Sequence, residues 1–209
     1  MRSALHEIRE TMEVRYRPRI AISMHGQIRA GDTTLAGITR LSSARGITIE
    51  LKVRAPDAVT LRRFAPIVVH ELFHTVVPVV PRSLVWSEGV TDFCAHWFLG
   101  QLDDLPRKRA HVEEARRTDP AYYRFKRPYV VGAGAMLELF QQEPRKTIAA
   151  LRGVVRDATR SRDAFFAEHT RDDVTRHDPR FAVFFRRGAN DGRRGWNTET
   201  PMGGRSGIR

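Results

Sequence analysis

A single cysteine, Cys94, in a chain of 209 residues excludes an intrachain disulfide framework and any metal cluster built from several thiolates. Residues 1–19 mix both charges throughout and contain no apolar stretch of the kind a secretory leader needs. No apolar run approaches the roughly eighteen residues of a membrane-spanning helix. From these absences the expected protein has no membrane span and a cytoplasmic location. Acidic residues are also in short supply: 24 Asp and Glu stand against 36 Lys and Arg, a net charge of +12. Such an imbalance points to nucleic acid, an anionic membrane surface or an acidic substrate. The basic residues are scattered, however, with local enrichment at Arg107-Lys108-Arg109 and in the tail, and no aromatic-interleaved basic helix stands out. That pattern argues against a nucleic-acid partner. Also missing are a Walker loop, a dinucleotide glycine pattern, a nucleophile elbow and any internal repeat.

What remains is ordinary globular composition, enough for one domain with a real core. Leu5, Ile8 and Met12 fall at helical spacing and predict a short amphipathic helix over residues 3–14. Strand-like segments follow at 19–24, at 36–41 after a Gly31-Asp32 turn, and at 47–53, where period-two alternation is clearest. Pro66 fits the first turn of a helix, where its missing N–H costs nothing, so a helix is expected over 65–76, stopped by Pro78 and Pro81. Ser83 can cap a second helix reaching about Leu99, with Gly100 just past its end. The interval 101–128 reads as charged and irregular, and further helices are expected at 130–142, 144–159 and 161–169. Strands first and helices after argue for an α+β fold. A single domain over 1–185 is expected, with a mixed, partly antiparallel sheet lobe at 1–56 and a helical lobe at 57–185. Residues 186–209 are expected to form a disordered basic tail.

The chemistry concentrates between His70 and Asp92. In His70-Glu71-Leu72-Phe73-His74 the two histidines lie four apart, on one helix face about one turn from each other. Both imidazoles then reach a single ion, and Glu71 sits beside an open coordination position, placed to take a proton from water there. The alternative is a helix with two surface histidines and a salt-bridging glutamate. Two features weigh against it. Ile67, Val68, Val69, Val76 and Val77 flank the motif, so the helix is apolar on most sides and belongs in the interior, where histidines and a glutamate need a partner. A catalytic zinc also needs a third protein ligand, and Glu88 follows His74 on a helix that the proline-broken segment between them would fold back. Asp92, one turn further, can accept the N–H of a metal-bound histidine and fix its tautomer. An exposed acidic stripe is the other reading of Glu88 and Asp92. Trp86, Val90, Phe93 and Trp97 around them favour burial. His96 shares the stripe, but two turns carry it ~12 Å along the axis, too far for a ligand. Cys94 reads as a small packed apolar residue rather than a nucleophile.

HELFH followed by Trp86-Ser87-Glu88-Gly89-Val90-Thr91-Asp92-Phe93 resembles the gluzincin metallopeptidases, whose pattern is HExxH, a spacer and a glutamate in an EGxxxY/F-type helix. Its nearest echoes are the aminopeptidase N-like, glycyl aminopeptidase-like and compact peptidase MA-like domains. The resemblance covers mainly residues 65–98. It implies a zincin-like fold with zinc in the cleft between the lobes, His70, His74 and Glu88 as zinc ligands, Glu71 as catalytic base, and a peptide or protein substrate. Tyr129, three residues before Gly132 and followed by apolar residues, is similar to the helix-starting tyrosine that donates to the oxyanion in the aminopeptidase-like members. A tyrosine merely packed at a helix start fits equally, and Tyr122, Tyr123 and His111 are rivals for the role. The tryptophan stands two residues before Glu88 where relatives more often place it three before, and the spacer is shorter than in the large aminopeptidases. No counterpart of their GxMEN segment is found; the strand at 47–53 occupies a similar place upstream and could take an extended peptide by edge addition. Endo- and exo-cleavage are both open. The expected function is a zinc-dependent peptidase. The alternatives are a catalytically silent module on the same scaffold, or a basic nucleic-acid-associated protein with an accidental motif.

Overall fold

The computed structural model describes residues 2–14, 19–25, 28–30, 33–35, 37–42, 46–52, 58–77 and 84–158. The expectations of a helix at 161–169, a basic tail, a Gly31-Asp32 turn, a proline-broken reversal and a Ser83 cap lie outside those residues.

Among the described residues one short helix precedes five strands, and five helices follow them, an arrangement compatible with α+β. Helix α1, Arg2–Thr11, buries Ile8 completely, and Met12 just past its end is fully buried too. It ends where Glu13 takes a left-handed φ of 57°, with Glu13 N–H donating to the Glu10 carbonyl and Val14 N–H to that of Arg9. That is the Schellman closure in which glycine is usual. Strand β1 is Ile20–His25, β2 Ile28–Ala30, β3 Thr33–Leu35, β4 Gly37–Ser42 and β5 Gly46–Lys52. β5 is the central strand of a three-stranded sheet, parallel to β1 (Ile20 opposite Ile47) and antiparallel to β4 (Gly37 opposite Leu51). Its alternation explains that place: Ile47, Ile49 and Leu51 are buried on one face. Because β5 is flanked on both sides, it offers no edge to an added peptide, contrary to the expectation for 47–53; β4 is the outer strand beside it. The short β2–β3 hairpin was not anticipated, since three-residue strands are too brief to display a period.

Helix α2 spans Ala58–Phe73, α3 Leu84–Phe98, α4 Asp104–Thr118, α5 Pro120–Gln142 and α6 Pro144–Ala158. Pro66 is not in the first turn of its helix as expected, because α2 begins at Ala58. Pro66 lies inside α2 and Pro128 inside α5. Each removes one intrahelical hydrogen bond, and burial of the turns that follow outweighs the loss. The interval 101–128 is helical rather than irregular. α4 buries only a narrow stripe, Leu105, Val112 and Ala115, in an otherwise charged helix. α5 starts ten residues before the expected 130, with Pro120 in its first turn and the Asp119 carboxylate accepting the Tyr122 N–H at 3.0 Å.

The core gathers one face of β5 and the inner faces of the helices, with Phe73, Trp86 and Phe93 fully enclosed. Each such side chain contributes about 2–3 kcal/mol of burial. α3 is buried from Val85 to His96 except at Glu88. It runs along α2 on one side and α5 on another, while β4 lies against α2. These three contacts bring the sequence motif, the glutamate helix and Tyr129 together.

Candidate metal centre

The last turns of α2 carry His70, Glu71 and His74. His74 lies one residue past the helix, but its N–H still donates to the His70 carbonyl at 3.2 Å, so both imidazoles keep helical spacing. From α3, Glu88 faces them. The His74 Nε2 to His70 Nε2 distance is 3.0 Å, His70 Nε2 to Glu88 Oε2 3.3 Å, and His74 Nε2 to Glu88 Oε2 3.4 Å. A cation held tetrahedrally with bonds near 2.0–2.1 Å separates its ligands by about 3.3–3.4 Å. The triangle has the size such an ion requires. Two imidazole nitrogens and a carboxylate oxygen are also a donor set suited to a borderline-soft divalent metal. His70, His74 and Glu88 together can therefore hold a metal ion.

The outer ring nitrogens fix which lone pairs point inward. Asp92 Oδ1 lies 3.5 Å from His70 Nδ1, so that nitrogen carries the proton and Nε2 offers its lone pair to the centre. Thr91 Oγ1 donates to the Ser87 carbonyl and lies 3.4 Å from His74 Nδ1, toward which only its acceptor role is left. Both Nε2 atoms thus face each other as acceptors, an arrangement that needs a positive charge between them. The same demand appears in proton affinity. Burial opposes charge on His70, yet hydrogen bonds to Asp92 and Glu88 and their charges raise the imidazole to about 9. Burial would raise Glu88, but the charges of His74 and His70 hold it well below the carboxylate range. Asp92 is buried too, and the hydrogen bond to His70 with the charge of Lys108 pulls its carboxyl far down. Lys108 Nζ reaches both Asp92 oxygens, at 2.6 and 2.7 Å.

Glu71 is held from the sheet. Thr39 on β4 lies 2.7 Å from Glu71 Oε2, to which its hydroxyl donates, and 3.0 Å from the Glu71 carbonyl oxygen. Gly37 makes room for the same side chain, since a Cβ there would come within 2.8 Å of Glu71 Cγ and Oε1. Tyr129 stacks on His70, ring centroids 5.7 Å apart and planes 21° from parallel, with its hydroxyl near Glu88. Burial first, then the charge of Glu88, drives its phenol far above the ordinary range, so it stays a proton donor. It stands mid-helix in α5 and not at a helix start. Its rivals lie elsewhere: His111 pairs with Tyr122 at 5.9 Å, and Arg116 covers Tyr123. His96 turns away from the centre and donates from Nδ1 to the Asp92 carbonyl at 2.8 Å. Cys94 is fully buried, and burial pushes its thiol up, leaving it inert. The cluster is not sealed. Glu88 is 21% exposed and His74 13%, against 9% for His70, so solvent and ligand reach the ion position from their side.

Four contributors were not read from the sequence: Thr91, Thr39, Gly37 and Lys108. Thr91 was readable, lying three residues after Glu88 and so on its face. Lys108 sits inside the Arg107-Lys108-Arg109 run, which reads as diffuse surface charge until α4 folds onto α3. Comparison of the chain with protein-family models, with curated proteins and with solved structures gives no match.

Proposed function

We propose that this chain is a zinc-dependent peptidase of the gluzincin type, with a zincin-like fold, one zinc on His70, His74 and Glu88, and Glu71 as general base. The observation that carries the reading is the ligand triangle, with edges of 3.0, 3.3 and 3.4 Å, standing one residue from a buried glutamate. Zinc, when bound, supplies a Lewis acid that polarises the scissile carbonyl and acidifies water. The remaining work falls to the chain. Glu71 accepts the proton of the attacking water and returns it to the leaving amine, with Oε2 steadied by Thr39. Tyr129, a neutral phenol beside Glu88, donates to the oxygen on which negative charge develops. Asp92 and Thr91 keep the two imidazoles in the tautomers that ligate. An extended substrate adds along β4, the outer strand that borders Glu71.

Metal analysis of the purified parent, His70→Ala and Glu71→Gln tests this directly, paired with hydrolysis of a peptide library. The expected result is about one zinc per chain in the parent, far less in His70→Ala, and full zinc without hydrolysis in Glu71→Gln. A parent that stays zinc-free after metal-replete purification overturns the reading.

A further inference from the structure

Two lysines approach the centre, and they differ in one respect. Lys108 is committed, with both Asp92 oxygens on its ammonium. Lys126, from α5, is not. Its Nζ lies 4.3 Å from the centroid of the Tyr129 ring and 4.8 Å from that of Phe125, and among the described residues no carboxylate is in ion-pair contact with it. The side chain is half-buried. Ring faces attract an ammonium, but they recover only part of the water it gives up. Burial lowers its proton affinity, Lys108 lowers it further, and Asp92, Glu88 and Glu71 pull it back, which puts Lys126 inside the field of the site's own carboxylates.

The charge count gives this position a meaning. Glu71, Glu88 and Asp92 contribute three negative charges, Lys108 and Lys126 two positive ones, and a divalent ion two more, which leaves the loaded centre at about +1. Without Lys126 the sum is about zero. A substrate bearing one negative group near the scissile bond would complete the balance, and an ammonium without an ion-pair partner is the group to receive it.

We propose that Lys126 is a specificity residue of this centre and binds a carboxylate of the peptide substrate, one turn of helix from the tyrosine that faces the reacting carbonyl. The proposal rests on the peptidase reading and adds a substrate class to it. The carboxylate is either the free α-carboxylate at the peptide's end or an acidic side chain. Equilibrium binding to zinc-loaded Glu71→Gln protein, which does not turn over, separates the two. The probes are acetyl-trialanine as free acid and as amide, and acetyl-Ala-Asp-Ala amide beside acetyl-Ala-Asn-Ala amide. One acid is expected to bind about tenfold to a hundredfold tighter than its neutral twin. In the Lys126→Met background that ratio falls to about one, and in Lys126→Arg a preference for the acid persists. Ratios near one for both pairs before substitution, or a preference that survives Lys126→Met, overturn the proposal. Zinc content of the same samples decides the peptidase reading separately: protein that holds no zinc yet discriminates through Lys126 ends that reading and keeps the carboxylate site.

Discussion

Gly89 and Gly132 meet backbone to backbone: a Cβ on Gly89 would stand 2.4 Å from the Gly132 Cα, and one on Gly132 would stand 2.0 Å from the Val85 carbonyl oxygen. This contact sets the spacing of α3 and α5. Glu88 precedes Gly89 by one residue and Tyr129 precedes Gly132 by three, so the same contact helps set how Glu88 and the Tyr129 phenol stand to each other. No flexible side chain is available to yield. Gly89→Ala or Gly132→Ala therefore pushes the helices apart, at a cost of about 1–3 kcal/mol, and moves Glu88 off the histidine pair. Thermal unfolding with and without zinc checks this. Both variants are expected to melt lower, and zinc is expected to raise their melting temperature by less than it raises the parent's. A zinc-induced shift equal to the parent's would separate the helix contact from the metal site.

The parts of the site that local spacing can encode were legible. His70 and His74 are one helical turn apart, and Glu88, Thr91 and Asp92 share one helix face; these relations follow from 3.6 residues per turn. What the sequence hid comes from distant packing. Thr39 lies 32 residues before Glu71 and Lys108 sixteen after Asp92, and no periodicity links a strand hydroxyl to a helix carboxylate. The departures at Pro66 and over 101–128 share another cause. Proline and charge density are local signals, and tertiary burial overrode both.

A pH dependence follows from His70. Its imidazole is raised from 6.5 to about 9 in the folded protein without metal. The fold therefore favours the protonated form, and the stabilisation from this group is complete below pH 6.5 and is lost as pH rises through 9. Zinc needs the neutral ring, so its affinity moves the other way, rising about tenfold per pH unit across that window and levelling above it. Chelator competition measured at intervals from about pH 6 to 10 reads the slope. A flat profile would mean that His70 does not exchange its proton for the metal.

Glu71 is positioned by β4 as much as by its own helix. Thr39→Val removes the donor at 2.7 Å from Oε2, and Gly37→Ala intrudes on Cγ and Oε1. Neither change touches a ligand atom, so zinc content is expected to stay at the parent's level. Peptide hydrolysis is expected to lose about tenfold to a hundredfold in kcat, because a base displaced by a fraction of an ångström no longer meets the water. Loss of zinc in Thr39→Val would show instead that β4 supports the metal site as a whole.

Tyr129 stacks on His70 and its hydroxyl lies near Glu88, so its role divides into packing and chemistry, and Tyr129→Phe separates them. The ring stack on His70, at 5.7 Å, survives the substitution, while the hydroxyl near Glu88 is lost. If the phenol donates to the developing oxyanion, kcat falls about a hundredfold while zinc content and KM hold. If its hydroxyl serves only to orient Glu88, zinc affinity falls and kcat of the fully loaded enzyme does not. The burial and nearby negative charge that keep the phenol protonated also predict that no alkaline limb from Tyr129 enters the kcat profile below about pH 10, the ordinary phenol range. An alkaline limb present in the parent and absent from Tyr129→Phe would assign the phenol a titration within that range and remove it as a fixed donor.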